Sequence, residues 1–341
     1  MDAHFPHSCW QCVGLREDRT MKDRYFRPIT VECIDPAYFP DVALFVKNNG
    51  NYILYKNHDR KFTELDRARL QRTNSDFLYV RAGDMDLVTE YLEDNLHALL
   101  ARNDISSNTK GIILYQTAAN YVTDVLDSPE KLANLARCRS LIRHLMKYVA
   151  SAEDVLKAFQ AIIANNYYIF VHSVQVAALT MLAHDRLFNL NNDEMIDVGV
   201  GALLHDFGMI FISSDILEKP DALSDIEYHK VKQHTQKGYD FLKGIGVFSD
   251  VSLTIVRYHH ERYDGKGYPT GLQGDNIPRS AQLAALCNTY CAMTTDRPYR
   301  TGLSHDDAIR VMRDELPGAF NSELFTRFEA ILRGRTKEGA A

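Results

Sequence analysis

The sequence predicts a mainly α protein in which an all-α C-terminal half follows a smaller α/β module. Three observations carry this. Before residue 110, short apolar runs flank turn residues; from about Gly111, apolar residues fall at three- and four-residue steps; from about residue 151 to Leu332 no stretch is rich in strand formers.

Residues 1–22 read as a polar tail. His4, His7, Cys9 and Cys12 include the Cys-x-x-Cys spacing of zinc sites, but no periodic element beside them would close such a site. Met21 stands just before the structured sequence and is expected to be the start of the natural chain. Residues 23–110 form the α/β module. Val42 to Lys47 and Tyr52 to Lys56 flank Asn48-Asn49-Gly50-Asn51, a hairpin signal because Asn and Gly tolerate positive φ. Phe77 to Arg81 reads as a further strand and Asp84 to Leu100 as a helix. No ligand spacing occurs in this module, which is read as sensory or assembly-forming.

Residues 111–150 are expected to be a helical connector, built from Gly111 to Leu126 and Pro129 to Tyr148, that also offers the seam of a homodimer. Ser151-Ala152-Glu153-Asp154 resembles a capping box and is expected to open a long helix to about Asp185. Helix and turn then alternate over the domain 151–332, with a short tail at 333–341.

The composition excludes some partners. The chain is 45% hydrophobic and 25% charged, with a formal net charge of -6. A broad nucleic-acid or acidic-membrane surface needs a basic face that this balance does not supply, although a local basic pocket for a small anion remains open. No apolar run approaches a membrane span and no signal-peptide pattern opens the chain. Six scattered cysteines do not read as a disulfide framework, so a reducing cytoplasm is expected.

Five features of the C-terminal half concentrate metal-ligating side chains: His172 in the long helix; His205-Asp206 ending the apolar helix Met195 to Leu204; His234, expected in the last turn of a helix begun by the capping box Ser224-x-x-Glu227; His259-His260, followed by Glu261; and Asn288 within Leu283 to Thr294. A lone helical histidine is more often a hydrogen-bonded core residue than a ligand. Adjacent ligand-type residues at a helix end are more informative. Neutral imidazoles with a carboxylate suit divalent iron, manganese, nickel or zinc.

In order and spacing, His172-Ser173-x-Gln175-Val176-Ala177, His205-Asp206 with Gly208, Ile216-Leu217-Glu218-Lys219-Pro220 and His259-His260-Glu261-Arg262-Tyr263-Asp264-Gly265-Lys266-Gly267-Tyr268-Pro269 resemble the HD-GYP domain. Gly271-Leu272-x-Gly274-x-x-Ile277-Pro278 and Asp296-Arg297-Pro298-Tyr299-Arg300 continue the likeness, which covers about residues 151 to 332. The resemblance implies a helical domain that binds divalent metals and hydrolyses cyclic di-GMP to pGpG or GMP. It implies His172, His205, Asp206, His234, His259, His260 and Asn288 as metal ligands, with Asp206 bridging two ions. Tyr268, Arg297 and Arg300 would face the nucleotide, the arginines on its phosphates. Gly265 and Gly267 would let the loop turn tightly.

Three positions depart from the family. Met209 stands where a lysine is usual, Asn288 where an aspartate ligand is usual, and Tyr168 where some members carry a glutamate that supports a third metal. The last favours two metals. Cys291 also replaces an aspartate and offers a soft ligand, though a free cysteine is more commonly a small buried hydrophobe. The leading expectation is therefore a cyclic di-GMP phosphodiesterase slowed by Met209 and Asn288. The alternatives are a receptor or signalling partner without turnover, and hydrolysis of another phosphoester or cyclic dinucleotide.

Overall fold

The hairpin is where the sequence puts it in a computed structural model, which describes residues 25–73, 75, 77–151, 171–217, 219, 221–295 and 301–334. β2 (Leu44–Asn48) and β3 (Asn51–Lys56) pair antiparallel, and Asn49 and Gly50 between them take φ of 49° and 75°. Two successive positive φ values give the turn whose twist matches that of the strands. β4 (Phe77–Arg81) occupies the expected span. β1 (Phe26–Thr30) pairs with β4 and completes an antiparallel sheet of order β1-β4-β2-β3. β1 holds Pro28, which an edge strand tolerates and a central one does not. The chain divides into two units between Asp124 and Val125.

α1 (Glu64–Arg72) is begun by a capping box in which Thr63 and Asp66 exchange side chain-to-backbone hydrogen bonds. Asp66 is buried and also accepts from Arg60 (2.8 Å) and the Tyr55 hydroxyl (3.1 Å). Burial works to raise its pKa, but hydrogen bonds from Arg60 and Thr63 prevail and bring it from 3.8 to about 2. A carboxyl depressed on folding stabilises above its unfolded pKa and loses that contribution as pH falls through the folded one. Asp66→Asn is thus expected to destabilise this unit by about 2 kcal/mol at neutral pH. The gap to wild type should narrow below pH 3.8 and close below about pH 2. Amide exchange across α1 and β2–β3 at several pH values checks this; a pH-independent gap would rule the charge out as its source.

α2 (Met85–Ala101) turns Val88, Leu92, Leu96 and Leu99 inward, as its three- and four-residue spacing requires. α3 (Ser107–Asp127) is followed by a 3₁₀ turn (Pro129–Ala133) and α4 (Leu135–Ser151). Ser151 is thus the last residue of α4; the remainder of the capping-box expectation, Tyr168 and the His4–Cys12 cluster lie outside the described residues.

The second unit continues with α5 (Val171–Leu187) and α6 (Asn192–Leu203), which pack on each other. α6 is buried from Val198 to Leu203 without a break and also packs on α4 and on α10 (Asp250–Tyr258). A helix apolar on every side belongs at the centre of a bundle. α7 (Ser214–Leu217) and α8 (Asp225–Lys232) lead to α9 (His234–Ile245). The expected capping box at Ser224 and Glu227 is present. His234, however, does not close that helix. The backbone tightens at Gln233, whose N–H reaches the carbonyl of Lys230, and His234 opens α9. α11 (Arg279–Thr294) is buried from Ala281 to Met293 and packs on α5 and α10; α12 (His305–Asp314) and α13 (Ser322–Leu332) follow.

Candidate metal centre

α6 ends at Leu203 and is capped by Leu204, and the next two residues are His205 and Asp206, so a rigid apolar helix delivers both side chains into the bundle. His172 comes from α5, His234 from the start of α9, His259 and His260 from the end of α10, and Asn288 from the middle of α11. Two groups of ligand atoms result, each within 4.8 Å of one another: His172, His205 and Asp206, and Asp206, His234, His259 and His260. Asp206 belongs to both.

Three of these imidazoles are held alike. Nδ1 of His205 donates to the carbonyl of Ala202 (2.9 Å), that of His234 to Val231 (2.8 Å) and that of His259 to Val256 (2.9 Å). Each bond fixes the ring and puts the proton on Nδ1, leaving Nε2 for a cation. The Nε2 atoms of His205, His234 and His259 lie 3.1, 3.3 and 3.6 Å from Asp206 carboxylate oxygens. Among the described residues, His205 Nε2 and Asp206 Oδ1 are buried without a hydrogen-bond partner. Lone pairs facing a carboxylate across such distances are costly unless positive charge lies between them. The donor set therefore fits divalent metal.

The electrostatics agree. Burial disfavours the Asp206 carboxylate, yet His205, His234 and His259 hold its pKa well below the usual range. Burial pushes His259 down to about 4, and burial with His259 and His234 nearby takes His260 well below its ordinary value. Both are neutral, the form that binds metal. Burial also opposes charge on His205, but the adjacent Asp206 outweighs it and raises its pKa.

Asn288 is buried, and its Oδ1 lies 2.8 Å from His172 Nε2, so the structure does bring this residue to the site. Cys291 belongs to neither ligand group; its burial raises the thiol pKa well above the ordinary value. Met209 is buried with Ile212 and Val231, and Tyr228 and Tyr268 pack against them. Tyr268 stacks on His260 with ring centroids 4.8 Å apart. Arg297 and Arg300 lie outside the described residues.

The sequence reading gave Glu261 no role, and the structure gives it one. Its buried carboxylate accepts from the backbone N–H groups of Thr270 (2.7 Å), Gly271 (3.1 Å) and Leu272 (3.0 Å). One side chain beside the histidine pair thus closes the loop that presents Tyr268. The only hint in the sequence was a carboxylate directly after two ligand-type residues.

Helices that converge imidazoles on a shared His-Asp carboxylate define the HD class of metal-binding domain. Residues 157–319 match the HD domain family. A cyclic di-GMP phosphodiesterase of Pseudomonas aeruginosa is 34% identical over 193 residues, 57% of this chain and 46% of that protein. A 3'3'-cGAMP-specific phosphodiesterase of Vibrio cholerae is 27% identical over 261 residues, 75% of this chain and 56% of that protein. The chain spans about half the length of these curated relatives. An HDG"Y"P protein from Bdellovibrio bacteriovorus shares the fold, with a TM-score of 0.68 at 21% identity over 91% of this chain and all of that one. Among the described residues no helix is long and apolar enough to cross a membrane.

Proposed function

We propose that this chain is a metal-dependent phosphodiesterase that hydrolyses cyclic di-GMP to pGpG or GMP. The observation that carries the proposal is the pair of ligand groups sharing Asp206. His172, His205 and Asp206 would hold one divalent cation, with Asn288 alongside; Asp206, His234, His259 and His260 would hold the second. Iron, manganese, nickel and zinc all suit these ligands. Two such cations, when bound, make water nucleophilic near neutral pH and neutralise charge on the phosphoryl oxygens.

The chain's own residues do the rest. Backbone carbonyls orient the imidazoles, Asp206 supplies the shared negative charge, and Glu261 sets the loop that carries Tyr268. Tyr268 would line the nucleotide pocket, with Arg297 and Arg300 on its phosphates. The choice of cyclic di-GMP rests on what relatives are named for, and the likeness to a cGAMP-specific enzyme makes that nucleotide the first competitor. The domain 151–332 would carry the activity, and the module 23–110 a sensory or assembly role. The described cysteines Cys33, Cys287 and Cys291 are buried free thiols, in keeping with a reducing cytoplasm.

A second reading, a nucleotide receptor without turnover, draws on two observations. Asn288 spends its Oδ1 on His172, and Met209 packs in an apolar cluster instead of offering a cation. Turnover of cyclic di-GMP and 3'3'-cGAMP by protein of measured metal content, with manganese or ferrous iron, separates the two. Linear product from cyclic di-GMP is expected. Full metal occupancy with tight nucleotide binding and no product would establish the receptor.

A further inference from the structure

We infer that Lys232 is a second anion subsite of this pocket, holding the phosphate of the cyclic dinucleotide that is not being cut; the inference rests on the function proposed above. A cyclic dinucleotide carries two phosphodiesters, and only one can lie against the metal ligands. The other is open to a cation elsewhere on the pocket wall, in addition to the arginines proposed above. That wall runs from His260 to Tyr268, stacked on it, and on to Tyr228, which packs with Tyr268 on the Met209 cluster. Lys232 ends α8, and its Nζ lies 5.5 Å from the Tyr268 ring centroid and 4.4 Å from that of Tyr228.

Three other cations among the described residues are already engaged. Lys219 pairs with Glu227 (2.7 Å), Arg262 with Asp264, and Lys237 donates to the Phe211 carbonyl (3.3 Å). Lys232 has no carboxylate or carbonyl partner among the described residues, only the two ring faces. Those faces restrain the ammonium without neutralising it, so its charge remains available to an anion. An apolar stem packed beside tyrosines would by itself be ordinary surface packing. What sets this lysine apart is that one of its two rings also stacks on a candidate metal ligand.

The test compares the full-length, manganese-loaded chain with Lys232→Met and Lys232→Arg in binding and steady-state hydrolysis of cyclic di-GMP, at low and high salt. Lys232→Met is expected to weaken binding and raise KM about tenfold or more, the worth of one charge-assisted phosphate contact. Its affinity should also depend less on salt. Lys232→Arg, which keeps the charge, should stay within about threefold of wild type. Bound manganese should be the same in all three. An unchanged KM in Lys232→Met would overturn the assignment, as would a loss of manganese that accounts for the defect. Wild type that neither binds nor cleaves cyclic di-GMP would overturn the parent reading and this inference with it, an outcome distinct from an active wild type with an indifferent variant.

Discussion

Asp206→Ala is expected to strip divalent metal from both ligand groups at once and to lower cyclic di-GMP hydrolysis by at least about a thousandfold. Every other ligand candidate belongs to one group, whereas Asp206 belongs to both. It is also the one carboxylate in either group, so its removal leaves neutral imidazoles to hold two dications. Losing His172 or His260 should be milder, because each leaves the other group whole. Metal content and turnover are measured together, with circular dichroism to establish that the variant is folded. Asp206→Asn keeps the shape and removes the charge, so it separates charge from packing. Retention of two metal ions per chain in Asp206→Ala would sink the shared-ligand account.

The hairpin at Asn49 and Gly50 was legible because its cause is local: two residues that accept positive φ between apolar runs. β4 and α2 were legible from period alone. β1 was not, since five residues containing Pro28 carry little pattern and the edge position that permits proline is a property of the sheet. α1 escaped because it is only nine residues long and its Leu65 points to solvent, which breaks the apolar period. The break at Gln233 has no glycine or proline to announce it.

In the site, residue type and spacing singled out the histidines and Asp206. They could not say which rings would converge, because His172, Asp206, His234 and His259 come from different elements brought together by packing. Nor could they say what Glu261 does, since its partners lie nine to eleven residues further on. Met209 also reads differently in three dimensions. Among Ile212, Val231 and Tyr268 it is a packing residue, so a lysine introduced there must find a path out of an apolar cluster before it can serve a phosphate.

Gly208→Ala is expected to be the most damaging single-methyl change near the site. A Cβ at position 208 would stand 1.9 Å from the carbonyl oxygen of His234 and 2.7 Å from the backbone nitrogen of Gly238. Both obstacles are backbone, so relief requires the 206–211 turn and the start of α9 to separate. Asp206 and His234 sit on those two segments, with their Oδ1 and Nε2 atoms 3.3 Å apart, and a shift large enough to admit a methyl group would pull them out of reach of a common ion. Overpacking of this kind costs about 3 kcal/mol. The variant should therefore unfold earlier and bind less than its full complement of metal. Gly238→Ala is the comparison, because it faces the same contact from the other side. Its Cβ would meet Gly208 backbone at 3.0 and 3.2 Å, distances that a few tenths of an ångström relieve, and alanine in a helix interior recovers about 1 kcal/mol over glycine. Thermal unfolding and metal content of the two variants should rank Gly208→Ala far below Gly238→Ala. Equal behaviour would mean that this close approach does not set the distance between Asp206 and His234.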